Sequence, residues 1–320
     1  MVIFKEISGI EMLSDIYELW KKCFPDKTPL SWKILKNRVE IGISTGVYKI
    51  FAAFEGPNII GAVLNELECK CLHGKAYKLN HVAMVAVSPE VQGRGVGSRL
   101  MVENRNYLQT QKILFSYLGG LCSFYSKFSY VPVEEYVYEF SLNDLKAGNS
   151  LLCLSNFLNK QEYFTKPKNI DSISELKIYL ELEFKSGNFE SEWKKKIFSF
   201  WEKRFESNDD DVKYYAMFSK QGDILAGFRY YLSNNKVVIV NFVDADSKVL
   251  RTLFEEFALA QKKDGFSEIV YNGYNLPETL KNTPLLLIKK IISCPLVSKM
   301  LAFHIENNIE EPIAIWKMMK

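Results

Sequence analysis

The chain has 320 residues, 48% of them hydrophobic and 25% charged, with a formal net charge of +3. That length suits about two domains of ~100–200 residues each, and the composition is that of an ordinary globular protein with ample core. The charge is too small to argue for a nucleic-acid partner, and no run of 18 apolar residues argues for a membrane span.

The opening segment, MVIFKEISGIEML, lacks a basic stretch followed by an apolar one, so no signal peptide is expected and the cytoplasm is the expected location. Six cysteines lie scattered at 23, 69, 71, 122, 153 and 294, and a cytosolic chain keeps them reduced. Cys69, Cys71 and His73 fall on alternate positions of one stretch. No second Cys/His pair completes a zinc set, so no metal is expected and small core residues are the plainer reading.

In chain order, Met12, Leu13, Ile16, Leu19, Trp20 and Phe24 recur at helical spacing, and Ser31 is read as the N-cap of a second helix. Tyr48 to Phe54 predicts a strand, Glu55 to Asn58 a turn, and Ile59 to Cys71 a second strand. A link through His73 and Gly74 leads into a third strand, Tyr77 to Val87. Further on come a strand from Ile113 to Leu118, a short helix near Ser123 to Phe128 and a strand from Val131 to Leu142.

The second half repeats the order. Ile173 to Phe184 and Trp193 to Phe205 predict helices, Tyr214 to Ser219 and Ile224 to Leu232 a hairpin, and Val237 to Val243 a strand. A helix from Val249 to Lys262 and a strand from Glu268 to Tyr271 follow. FAAFEGPNIIGAVL and YAMFSKQGDILAGFRYY occupy equivalent places, which predicts an internal duplication joined in the polar stretch 143–168. The closing segment predicts an apolar helix from Pro284 to Phe303, then a strand from Pro312 to Met318.

The stretch HVAMVAVSPEVQGRGVGSRLMVEN, from His81 to Asn104, carries the most information. A strand ends at Val87, Ser88 and Pro89 stop it, and Gly93, Gly95 and Gly97 precede a helix. The first turn of a helix offers unpaired N–H groups and a positive dipole end, and glycines let an anion approach the backbone. Arg94 can add a charge-assisted hydrogen bond. The spacing fits neither the dinucleotide fingerprint nor a P-loop.

The string VAVSPEVQGRGVGSRL resembles the acetyl-CoA-binding motif of the GNAT acetyltransferase superfamily, Gln/Arg-x-x-Gly-x-Gly/Ala, with Gln92, Gly95 and Gly97 in register. The resemblance covers roughly residues 1–142 and implies an α/β, layered fold: two tandem GNAT folds, each a mixed, mostly antiparallel sheet flanked by helices. It divides the chain into 1–145, which binds acetyl-CoA and is catalytic, and 146–320, a degenerate copy. In the second copy DADSKVLRTLF stands where the first has the glycine loop, and Asp244 and Asp246 would repel a pyrophosphate.

The resemblance implies that Val85, Ala86 and Val87 meet the pantetheine arm and the thioester. It likewise implies that Gln92, Gly93, Arg94, Gly95, Val96, Gly97 and Ser98 hold the pyrophosphate. Tyr125 matches the tyrosine that protonates the leaving thiolate, although Ser129 replaces the family's usual glycine nearby. His81 is the candidate base, since imidazole titrates near neutrality, and Glu66 and Glu68 are the alternatives. For His81, Tyr125, Glu66 and Glu68 the plain alternative is a packing or solvated role.

The expected activity is transfer of acetyl from acetyl-CoA to a primary amine by direct attack, with no covalent intermediate. The rivals are a non-catalytic acyl-CoA sensor and a transferase for another acyl group. The expected partner is a small-molecule or peptide amine, with no nucleic acid and no membrane, and with oligomerisation left open. Glu40, Glu66 or Glu68 would suit a cationic acceptor.

Overall fold

A computed structural model describes the chain apart from residues 8, 73–74, 112, 114, 133–134, 144, 146–164, 186–190, 208–210, 234, 273–275, 282–285, 293–297 and 304–320. Residues 69–72, 75–76, 115, 131–132, 135–136, 272, 286–292 and 298–303 are described by backbone alone. The side chains of the Cys69–Cys71–His73 set and the strand expected at 312–318 therefore lie outside what is described. Among those described, no cluster that could hold a metal ion occurs, and no helix is long and apolar enough to cross a membrane.

Two seven-stranded sheets organise the molecule. The first runs β1 (Val2–Ile7), β2 (Tyr48–Glu55), β3 (Asn58–Leu72), β4 (Lys75–Val87), β5 (Phe115–Gly120), β14 (Ser298–Phe303) and β6 (Tyr130–Pro132). Only the β4–β5 pair is parallel; its neighbours are antiparallel. Two helices pack on one face, α1 (Leu13–Cys23) and α2 (Pro29–Thr45), through Ile16, Trp20, Ile50 and Leu64, all fully buried. On the other face, α3 (Val96–Thr110) presses Leu100 and Met101 against Phe51 and Val63. Each such side chain contributes roughly 1.5–3 kcal/mol on burial.

Thr28, not Ser31, caps α2: its hydroxyl accepts from the Ser31 amide at 3.1 Å, and Pro29 fills the first helical position, where no N–H is missed. The short helix after β5 is α4 (Cys122–Tyr125), continued by one 3-10 turn to Phe128.

The second sheet runs β13 (Leu286–Ile292), β7 (Glu135–Ser141), β12 (Glu268–Asn272), β11 (Lys236–Asp244), β10 (Ile224–Ser233), β9 (Val212–Phe218) and β8 (Lys168–Asn169). Its helices are α5 (Ile173–Glu183), α7 (Ser247–Lys263) and α8 (Glu278–Lys281). Phe140, Phe228, Phe254 and Phe257 fill its core. The β11–β12 pair is parallel, as β4–β5 is in the first sheet, so the duplication read from the sequence is present as repeated topology.

Three expectations change. Val131 to Leu142 is not one strand: β6 lies in the first sheet and β7 in the second. The described residues of the expected helix from Pro284 to Phe303 are strands, since Leu286–Ile292 pairs with β7 and Ser298–Phe303 pairs with β5 and β6. Its short apolar run with Ile288, Ile291 and Ile292 suits either period, and tertiary pairing decided it. Finally, the compact units are not contiguous halves. The first gathers residues 1–134 with helix α6 (Ser191–Glu206) and β14, and the second holds β7 to β13 with α5, α7 and α8. Helix α6 packs on α2; Phe200 lies 5.3 Å from Tyr48 of β2, and just past the helix Ser207 Oγ accepts from Asn37 Nδ2 of α2 at 3.0 Å.

Candidate active site

The site begins with a parting of strands. β4 pairs with β5 only through Leu79, Asn80 and His81. From Val82 to Val87 no described strand lies on that edge of β4, while β5 continues alongside β14. At Met84, φ is +49° and the register with β3 slips, so the strand is bulged there. The bulge turns Val85 and Val87 toward the α3 core and Ala86 toward the α1–α2 core. A sheet edge with no described strand partner results, able to receive an extended amide-bearing chain.

The glycine loop closes one end of this wedge. Gly93 and Gly95 both have φ +78°, which side-chain-bearing residues adopt at a cost, and nothing lies within 4 Å of where a Cβ would sit on either. Gly97 suits its place for another reason: a Cβ there would meet Val87 Cγ2 at 3.3 Å, a tight contact, so glycine lets α3 start close against the end of β4. Gln92 Nε2 donates to the Val87 carbonyl at 3.0 Å and ties the loop to the strand. Gly95 is the N-cap of α3 and brings no side-chain acceptor, so the amides of Val96, Gly97 and Ser98 open the helix uncapped. Backbone N–H groups at an open helix start can meet an anion, so the residues present would fit a pyrophosphate. Arg94 is turned onto Glu55 at 2.5 Å, an exposed pair that a phosphate could displace.

On the α1–α2 face, four strands carry a row of polar side chains. Tyr48, Glu66, His81 and Tyr117 are consecutive partners across β2, β3, β4 and β5. His81 Nδ1 lies 2.8 Å from Glu66 Oε2, and Arg38 of α2 donates to Glu66 Oε1 at 2.7 Å. Glu66 is buried, which by itself would push its carboxyl up, yet Arg38, His81 and Arg204 hold it down at about 2. The Tyr117 ring stacks on His81 at 4.8 Å and 17°, and its hydroxyl donates to Glu68 at 2.7 Å. Burial, then Glu68, keeps the Tyr117 phenol well above its usual range.

Tyr125 sits on the opposite face, under the end of β5. Its ring leaves no room for a Cβ on Gly120, which would approach Tyr125 Cε2 to 2.4 Å. Tyr130 and Phe124 pack edge-on at 5.9 and 5.0 Å. Burial pushes the Tyr125 phenol up to about 12, so it holds its proton across the neutral range.

The structure thus brings His81, Glu66 and Glu68 together on one face, and sets Tyr125 on the other beside the loop's end of the wedge. Glu40 stands apart, 3.9 Å from Lys36 in a groove of about 540 Å³ between α1 and α2. Arg38 and Tyr117 were not singled out from the sequence. The pairing of Glu66 with His81 was countable, since each lies six residues from the Leu72–Lys75 partner pair of the hairpin. Nothing in the sequence placed Arg38, which reaches the pair through α2 packing.

A family model described as an acetyltransferase (GNAT) domain matches residues 8–133. No curated protein matches the chain. Among solved structures, a probable N-acyltransferase from Enterococcus faecalis is 17% identical over 95% of this chain and 73% of its own, with a TM-score of 0.63. A GCN5-related N-acetyltransferase from Kribbella flavida is 16% identical, covering 98% and 73%, at 0.61. A tandem GNAT protein of the clavulanic acid biosynthesis pathway is 9% identical, covering 96% and 100%, at 0.52. The parted strands and glycine loop fall inside the matched segment: residues 8–133 match the GNAT acetyltransferase domain, in a chain that has the tandem GNAT fold.

Proposed function

We propose that the chain is an N-acetyltransferase that takes acetyl from acetyl-CoA and passes it to a primary amine in a ternary complex. The observation that carries this reading is the wedge between β4 and β5, closed by an uncapped helix start, with a base candidate on one face and an acid candidate on the other. The loop from Gln92 to Ser98 holds the pyrophosphate, and the free edge of Val85 to Val87 holds the pantetheine amides and polarises the thioester carbonyl. His81 Nε2 takes a proton from the amine, whose nitrogen then attacks the carbonyl carbon. As the carbon–sulfur bond breaks, Tyr125 gives its proton to the departing thiolate, and the second proton shed by the acylated nitrogen restores the phenol through solvent. Glu66 is bound on both oxygens and held at about 2, so it is a poor base, and the acceptor's positive charge falls to Glu68 instead. The second copy, 146–320 in the sequence division, binds no coenzyme in this reading.

The test is release of free coenzyme A from acetyl-CoA with a panel of primary amines. Tyr125→Phe and His81→Ala should each lower turnover about 10²–10⁴-fold while acetyl-CoA affinity holds, the usual worth of a positioned proton-transfer group. Tight acetyl-CoA binding without turnover on any amine would favour the sensor reading. Turnover with longer acyl-CoAs alone would reassign the donor.

A further inference from the structure

Resting on the assignment of His81 as base, we propose that Arg38 and Glu66 form a positioning pair that fixes which ring nitrogen of His81 accepts the substrate proton. The pair does this with little net charge beside the ring.

Both Glu66 oxygens are committed, Oε1 to Arg38 at 2.7 Å and Oε2 to His81 Nδ1 at 2.8 Å. A carboxylate only accepts hydrogen bonds, so Nδ1 must carry the hydrogen and Nε2 is left with its lone pair. Because Glu66 is buried and held far below the working pH, it does not protonate and release the ring. The Tyr117 ring, stacked 4.8 Å away at 17°, blocks the flip that would exchange the two nitrogens. Tyr117 is itself anchored on Glu68 at 2.7 Å.

Charge is the second half of the argument. A bare buried carboxylate 2.8 Å from an imidazole would stabilise imidazolium and leave the base already protonated. Arg38 offsets that charge from α2. The other titratable or charged groups around the pair are Glu68 on β3, Tyr48 on β2, Tyr117 on β5 and Arg204 on α6. Both tyrosines are raised by burial and stay neutral, so Arg38 and Arg204 supply the cations and Glu68 the remaining anion.

The opposite signs of two substitutions make the test. The chain has three histidines, so ring ¹⁵N resonances of His81 can be assigned by comparison with His81→Gln. The wild type should show Nδ1 protonated and Nε2 bare. Glu66→Gln removes the anion and leaves Arg38, so His81 should titrate at lower pH and populate both tautomers. Arg38→Gln leaves the anion uncompensated, so His81 should titrate at higher pH, by on the order of tenfold in proton affinity. Arg38→Lys keeps the charge and should stay near wild type, which guards against a variant that misfolds.

Shifts of the same sign, or an unchanged tautomer in Glu66→Gln, would overturn the proposal. The readout needs no substrate, so it is separate from the base assignment. If His81→Ala keeps full turnover while the NMR signs hold, the pair positions the ring but His81 is not the base.

Discussion

Helices α3 and α7 hold the same place in the two sheets, each leaving the third antiparallel strand and returning to a parallel one, yet they begin differently. Helix α3 starts on Gly95, at φ +78° and with no side-chain cap. Helix α7 starts on Asp246, whose carboxylate accepts from the Lys248 amide at 2.9 Å. The dipole end that stands open in the first copy is filled by the chain's own anion in the second. Asp244 beside it is pushed up, first by burial and second by the charge of Asp246. Folds persist through their apolar faces, whereas a site is lost through a handful of residues.

The same contrast holds on the sheets. Counted from the bulge in each hairpin, at Ile60 and Leu225, the places of Glu66 and His81 fall on Tyr231 and Val238. The polar cluster of the second sheet is instead Arg229, Glu183, Asn241 and Tyr179. Arg229 donates to Glu183 at 2.6 Å and to Asn241 at 2.9 Å. Tyr179 donates to Asn241 at 3.0 Å. Burial opposes the Arg229 charge, but Glu183 and the neighbouring tyrosines keep the guanidinium ionised. That cluster is closed upon itself and presents no base.

The largest expected effect breaks the open helix start. Gly95→Asp puts a carboxylate where the pyrophosphate must lie, and aspartate tolerates φ > 0 better than most residues, so the fold should survive. Acetyl-CoA affinity measured by calorimetry should fall about 10³-fold, roughly 4 kcal/mol. Gly95→Asn, matched in bulk without the charge, should lose much less. Equal losses would show that strain rather than charge excludes the ligand. The wild type should titrate with one site per chain, and two sites would end the contrast between the copies.

The next variant probes the closed cluster. Removing one partner of a buried ion pair strands the other, at a cost of about 3–5 kcal/mol. Arg229→Met should therefore lower stability by that amount in denaturant unfolding, while acetyl-CoA affinity per folded molecule stays unchanged. A loss under 1 kcal/mol, or weakened coenzyme binding, would mean that the cluster is not merely structural.

Much of this was legible in the sequence, and the rest has physical reasons for being hidden. The glycine loop reads locally because φ > 0 at Gly93 and Gly95 and the close approach at Gly97 each favour glycine. The duplication reads because apolar periodicity repeats. The exchange that puts β14 beside β5, and β7 beside β12, does not read, since pairing between distant segments leaves no local trace. Arg38 was hidden for the same reason: its partner is 28 residues away and its helix shows only a weakly amphipathic pattern.

The smallest expected effect sharpens the comparison from the second copy's side. Asp246 is the N-cap of α7, and replacing such a cap by alanine costs about 0.5–2 kcal/mol, typically ~1. Asp246→Ala should lower the melting temperature by about 2–4 °C, the usual scale for 1 kcal/mol in a domain of this size. It should leave acetyl-CoA affinity and the single calorimetric site untouched. Freeing the helix start is not enough to make an anion site, because Asp244 remains and no glycine precedes the helix to bring backbone amides around a phosphate. An unchanged melting temperature would mean that the carboxylate is not capping the helix. A second binding site in the variant would mean that one aspartate alone had silenced the copy.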